Sequence, residues 1–254
     1  MKIKNFILMV LGIAALLCIG LYLRQKLNFT YFGSVKKSEN LIYDEVYYNT
    51  FDLISIENDG YADIVIKETD EPSVNVKVYA NRDNLEYIKE DNSIKIKSKS
   101  KTCIIFCDEE TSVIEINLPR TYSNKIEINS DVGPVTIGEF DNSIIDLRVD
   151  TGDVKIKAAK DLNIDSDAGI IYIDRVNGKL NLVNDTGDIS IDNLLVTEDS
   201  YIETDVGNIN ILRTSNIKIV TKNGSRLSNI KTSNEESNVT LTISTDIGEI
   251  NVLN

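Results

Sequence analysis

The residues best placed to do chemistry are aspartates that recur beside glycine. Six times the chain reads Asp-x-Gly-x-(Val/Ile)-x-(Val/Ile): Asp131-Val132-Gly133, Asp150-Thr151-Gly152, Asp167-Ala168-Gly169, Asp185-Thr186-Gly187, Asp205-Val206-Gly207 and Asp246-Ile247-Gly248. In two of these a second aspartate follows the glycine, so Asp150 with Asp153, and Asp185 with Asp188, place two carboxylates across a Thr-Gly turn. Hard oxygen ligands in tight glycine turns are what calcium-binding β-roll repeats use, which makes these four aspartates calcium candidates. Paired carboxylates are also what a glycosidase needs, but nothing singles out one pair among six similar corners. The residue after glycine varies (Pro134, Asp153, Ile170, Asp188, Asn208, Glu249), unlike the glycine-rich calcium nonapeptide. A structural account is simpler. An aspartate side chain accepts a hydrogen bond from the N–H two residues on, and glycine supplies the positive φ that a corner needs. On this reading Asp131, Gly133, Asp150, Gly152, Asp167, Gly169, Asp185, Gly187, Asp205, Gly207, Asp246 and Gly248 shape turns. No catalytic residue and no cofactor is expected.

The elements around these corners are legible from spacing. Two residues after each glycine stands Val135, Val154, Ile171, Ile189, Ile209 or Ile250, and five before it Ile128, Leu147, Ile164, Leu182, Ile202 or Ile243. Seven before stand Ile126, Ile145, Leu162, Leu180 and Leu241, with Ser200 breaking the set. Alternation means one buried and one wet face per strand. The first five glycines are 17 to 20 residues apart, and self-similarity at a near-fixed period marks a repeat architecture. The expected fold is all-β: a β-solenoid, β-helix-like, with repeats of about 18–20 residues. About seven rungs at ~4.8 Å spacing would give a core roughly 30 Å long.

Residues 126–254 are therefore read as solenoid repeats and 51–125 as an N-terminal capping β region, since terminal repeats are atypical. The capping region alternates in DLISIEN, ADIVIK, SVNVKVYA, SIKIKSKSK and SVIEINLP, with breaks expected at Asn58-Asp59-Gly60, Glu71-Pro72, Asp91-Asn92 and Leu118-Pro119. One unit is degenerate: Ile217 and Ile219 keep its first strand, but Asn223-Gly224-Ser225-Arg226 puts Arg226 at an apolar position. The polar insert Thr232–Asn238 that follows is expected to protrude. Tyr172 and Tyr201 fall on alternate-face positions.

Composition removes whole classes of function. There is no histidine, which excludes histidine-dependent nucleophile arrangements and histidine-ligated metals. Tryptophan is absent as well, so no tryptophan sugar platform exists. A net charge of −13 repels phosphate backbones, and no nucleic-acid partner is expected. Cys103 and Cys107 flank Ile104-Ile105-Phe106. In a continuous strand they would be about 13 Å apart at roughly 3.3 Å per residue, so a Cys103–Cys107 disulfide requires a turn. Buried free thiols are the alternative.

At the N-terminus, Asn5 to Leu23 run without a charge after Lys2 and Lys4. About 20 apolar residues span a bilayer core, and no small-x-small cleavage site follows. Residues 1–23 are read as one uncleaved membrane helix and 24–50 as a juxtamembrane stalk. Arg24, Lys26, Lys36 and Lys37 follow the span and argue for the C-terminal part inside. A short N-terminal tail ahead of a first span, which usually stays cytoplasmic, argues for it outside.

With INLPRTYSNKIEINSDVGPVTI, TGDVKI, TGDISI, TDVGNINI and TDIGEINV in view, residues 50 to 254 resemble the putative-adhesin β-strand-repeat family, common in Gram-positive bacteria. The resemblance implies a β-solenoid, often membrane-tethered outside the cytoplasm, and supplies no catalytic residues. The function expected is a non-enzymatic, membrane-anchored extracytoplasmic scaffold whose partner is an envelope protein or a cell-wall polymer. The alternative is a sensor or modulator of an envelope-stress response acting through a membrane partner. A carbohydrate-active enzyme would need its acidic and basic residues concentrated on one rung, and the evenly repeated corners argue against that.

Overall fold

The computed structural model describes residues 38–80, 85–90, 92–99, 111–222 and 228–253. The expected membrane helix, the first part of the stalk and both Cys103 and Cys107 lie outside the described residues. Among the described residues every regular element is a strand, and no helix is long and apolar enough to cross a membrane. In chain order the strands are β1 (Leu41–Tyr47), β2 (Leu53–Thr69), β3 (Val74–Tyr79), β4 (Leu85–Glu90), β5 (Ser93–Lys99), β6 (Ser112–Pro119), β7 (Lys125–Val132), β8 (Val135–Thr151) and β9 (Val154–Ala168). They continue as β10 (Ile171–Val176), β11 (Leu180–Thr186), β12 (Ile189–Leu194), β13 (Ser200–Val206), β14 (Ile209–Thr214), β15 (Lys218–Lys222), β16 (Ser228–Ile230), β17 (Thr240–Ile247) and β18 (Ile250–Val252).

All eighteen belong to one sheet that folds over on itself at the Asp-x-Gly corners. The first wall runs β4, β5, the start of β2, β7, the ends of β8 and β9, β11, β13, β17 and β15. The second wall runs β1, β3, β6, the end of β2, the starts of β8 and β9, β10, β12, β14, β18 and β16. Pairing is parallel except where β1, β3 and β4 join at one end. The predicted columns meet in register: Ile128, Leu147, Ile164, Leu182, Ile202 and Ile243 lie side by side and are all buried. Each such side chain contributes about 2 kcal/mol at roughly 25 cal/mol per Å² of apolar surface. Ser200, the odd member of its column, is buried too; its hydroxyl accepts the Leu180 N–H at 3.1 Å and donates to the Glu198 carbonyl at 2.9 Å.

Three expectations change. The break at Asn58-Asp59-Gly60 is instead a corner inside β2, whose halves pair with β7 and β8. The stack thus includes residues 53–69, with Ala62 where later rungs carry glycine. Residues 41–47, expected within the stalk, form β1. Strand order departs from chain order as well: β17 and β18 lie between β13–β14 and β15–β16, so the degenerate unit is outermost among the described residues. Finally, the insert after β16 folds back against β15. Ser233 Oγ accepts the Ile219 N–H at 3.1 Å, and the Asn234 N–H donates to the Ile217 carbonyl at 2.8 Å. An unpaired edge is a template for aggregation, and this loop covers part of it.

At the opposite end, rings close the core. Tyr43 and Tyr87 stack at 4.2 Å, Phe51 meets Tyr47 edge-on at 5.7 Å, and the Tyr87 hydroxyl donates to that of Tyr47 at 2.8 Å.

Candidate functional site

The six aspartates form one column on the outside of the corner. Their flanking residues pair in register from β7 through β8, β9, β11 and β13 to β17. Neighbouring carboxylates are therefore one rung, about 4.8 Å, apart at the backbone. Asp131 shows the consequence: burial, and the charges of Asp150 and Asp59, push its carboxyl above the ordinary aspartate value.

At five of the six corners the structure does not give the aspartate the turn hydrogen bond expected of it. The N–H of Gly133, Gly152, Gly169, Gly187 and Gly207 donates instead to a carbonyl of the adjacent rung, at 2.9 to 3.0 Å. The stacking of rungs takes up the donor that an isolated turn would offer to its own side chain. The corner is held from inside wherever the residue just before the aspartate reaches a carbonyl; before Asp150 that residue is Val149, and Ser166 Oγ makes no hydrogen bond. Asn58, Ser130, Ser166, Asn184, Thr204 and Thr245 are all buried there. Asn184 Nδ2 donates to the carbonyls of Gly169 at 3.2 Å and Gly187 at 3.1 Å. Thr245 Oγ1 donates to the Gly207 carbonyl at 3.1 Å, and Asn58 Nδ2 to those of Gly60 at 2.8 Å and Val132 at 3.4 Å. A buried carbonyl left without a donor costs about 1–3 kcal/mol, so this inner column has a clear role. Sequence reasoning missed it, although its signal, a polar residue at a position that alternation assigns to the core, was present.

The glycines are required for space as well as conformation. At Gly187, φ is 141°, and a Cβ would land on the carbonyl oxygen of Gly169. The same collision recurs at Gly133, Gly152, Gly169, Gly207 and Gly248, each against the preceding rung.

The second carboxylates of the calcium candidates are engaged elsewhere. Asp153 Oδ1 accepts the Ile170 N–H at 3.0 Å, and Asp188 Oδ1 accepts the Asn208 N–H at 2.8 Å. Asn208 repeats the device, accepting the Glu249 N–H at 3.0 Å. The residue after glycine thus caps the next rung whenever it carries a side-chain oxygen that reaches. Among the described residues, no group of three or more Cys, Asp or Glu is placed to hold a metal ion. Asp150 with Asp153, and Asp185 with Asp188, do not assemble one.

Away from the corner, Arg175 forks onto Asp141 with both contacts at 2.9 Å, joined by Asn177 at 2.7 Å. Glu68 reaches across the second wall to Lys157 at 3.1 Å and accepts the Glu139 N–H at 3.2 Å. Burial alone would push its carboxyl up; hydrogen bonds from its own backbone, Lys157 and the Glu139 N–H outweigh this and hold it below the ordinary glutamate value.

The outer surface of the first wall holds a shallow groove of about 520 Å³ along the stacking axis, floored by Asp146, Asn163 and Asn181. Asn163 Nδ2 donates to Asp146 at 2.6 Å and Asn181 Nδ2 to Asn163 at 2.8 Å. Arg148, Asp165 and Tyr201 line the same groove. Tyr172 is on the second wall, its hydroxyl donating to Asp192 at 2.8 Å.

The family described as Toastrack DUF4097 matches residues 51–253. No curated protein matches the chain. Among solved structures, the chain is similar to a "putative adhesin" from Bacteroides fragilis, 16% identical, covering 87% of this chain and 100% of that one with a TM-score of 0.48. A "putative cell adhesion protein" from Clostridium sporogenes is also 16% identical, covering 83% and 98%, with a TM-score of 0.42. A "putative lipid binding protein" from Parabacteroides distasonis is 13% identical, covering 86% and 99%, with a TM-score of 0.37.

Proposed function

For this chain, which belongs to the Toastrack DUF4097 family over residues 51–253, we propose the role of a membrane-anchored extracytoplasmic scaffold that binds without catalysing. One observation carries the reading: the repeated carboxylates are distributed one per rung in register, so no rung is set apart as a reaction centre. What repeats instead is surface, two walls on a stack whose backbone donors are tied rung to rung. Such faces suit extended contacts with a protein or a polymer. The uncharged run Asn5–Leu23 supports the anchor, as about 20 apolar residues suffice to span a bilayer. The envelope-protein or wall-polymer partner, and the extracytoplasmic side, belong to the same proposal.

In-cell crosslinking of the tagged full-length protein tests it. Capture of wall material, or of further copies of the chain, is the expected outcome. Capture of one specific membrane protein, such as a sensor kinase or a transporter, would replace this reading with modulation of an envelope-stress response. Recovery from the soluble fraction would remove the anchor.

A further inference from the structure

We infer that the groove on the first wall is a binding site for a neutral, linear polysaccharide lying along the solenoid axis. The inference rests on the scaffold reading and deepens it by naming the partner's chemistry. The groove crosses five successive strands, β7, β8, β9, β11 and β13. Four steps of ~4.8 Å make it about 19 Å long. That step is close to the advance of one sugar ring in an extended glycan, so successive rings meet successive rungs in similar settings.

The lining divides into two kinds of group. Asp146, Asn163 and Asn181 are linked in a chain that forms a fixed floor, and Lys125, outside the lining, anchors Asp146 at 2.7 Å. The side chains of Arg148, Asp165 and Tyr201, by contrast, have no hydrogen-bond or ion-pair partner among the described residues. Arg148 and Asp165 are nevertheless in register on adjacent strands. A guanidinium fork and a carboxylate side by side match the donors and acceptors of neighbouring sugar hydroxyls. Tyr201 is 41% exposed, and with Val183 it gives the groove an apolar end for the C–H face of a ring. Glu127, Asp146 and Asp165 against Lys125 and Arg148 make the surroundings net acidic, which disfavours an anionic polymer.

The test is a titration of the purified full-length protein with neutral β-linked oligosaccharides, from single rings to hexamers. Calorimetry and intrinsic tyrosine fluorescence report binding, the latter uncluttered because the chain has no tryptophan. Saturable, salt-insensitive binding should tighten with length until the groove is filled at about four rings. Arg148→Ala and Tyr201→Ala should each weaken it about tenfold without moving the unfolding midpoint, whereas Tyr172→Ala on the second wall should not. Absence of saturation at every length overturns the inference. Binding indifferent to both groove variants does too, as does binding confined to amino-sugar polymers and lost in moderate salt. If oligosaccharides fail but crosslinking in cells still captures a partner, the scaffold reading survives without the groove. If crosslinking captures nothing, it is the scaffold reading that falls.

Discussion

The two sides of the Asp-x-Gly corner differ in a way that their prominence in the chain conceals. Outside runs the aspartate column, invariant across six units and facing solvent, with the charge of Asp150 felt at Asp131. Inside runs a buried column of asparagine, serine and threonine, interrupted by Val149, in which Asn58, Asn184 and Thr245 donate to glycine carbonyls. Where its side chains reach, the varied column holds the corner carbonyls, while at Gly133, Gly152, Gly169, Gly187 and Gly207 the glycine N–H goes to the adjacent rung and not to the aspartate of its own turn. The reason is environmental: a hydrogen bond replaces solvation that a buried carbonyl has already lost, whereas an exposed carboxylate has water in its place.

Substitutions across the corner should follow that contrast. The largest effect is expected at the glycine between the two columns. Gly187→Ala forces a Cβ onto the Gly169 carbonyl at a positive φ, and chemical denaturation should show a loss of about 4 kcal/mol or more. A loss under about 1 kcal/mol would mean that the rungs can part to admit a methyl group. Next comes the inner column: Asn184→Ala removes donors to two buried carbonyls and should cost about 2 kcal/mol in the same assay.

Outside the corner the effects shrink. Asp188→Ala deprives the Asn208 N–H of its acceptor and should cost roughly 0.5–1 kcal/mol, because the bond is exposed. Asp185→Ala, three residues earlier, should cost less than Asp188→Ala; equal losses would restore the turn role first expected of the aspartate column.

The smallest effect carries the opposite sign and depends on pH. The carboxyl of Asp131 is raised in the fold, so its contribution is favourable below the ordinary value of 3.8 and is lost as pH rises through the raised one. Asp131→Asn should therefore stabilise slightly at neutral pH, with the gain vanishing toward pH 3.8, as read by unfolding midpoints across pH. Glu68 behaves in reverse. Its carboxyl is lowered, so its stabilisation is present above 4.5 and disappears as pH falls through the lowered value. Glu68→Gln should reduce the loss of stability in that acid window, as read by unfolding midpoints across pH.

Much of this was legible along the chain. Alternating isoleucine, leucine and valine about a glycine at near-fixed spacing determined strand, corner and core, because each depends on the nearest neighbours of a repeated unit. The columns headed by Ile128 and Val135 came together as spacing implied. The family resemblance rested on the same residues, and the match over residues 51–253 agrees with it.

Tertiary structure decided what depends on which rung lies beside which. That β2 is part of the stack follows from its pairing with β7 across an intervening 55 residues, 70 to 124, and Ala62 in the glycine position hides the link from any pattern search. That β17 and β18 slide inside β15 and β16 is likewise invisible to local spacing, since either order pairs equally regular strands. The fate of the corner N–H groups is the clearest case. Alone, a turn would offer them to its aspartate; stacked, each faces the carbonyl of the next rung, and the backbone bond prevails. Sequence determined the unit, and the order in which units neighbour one another determined what its polar groups do.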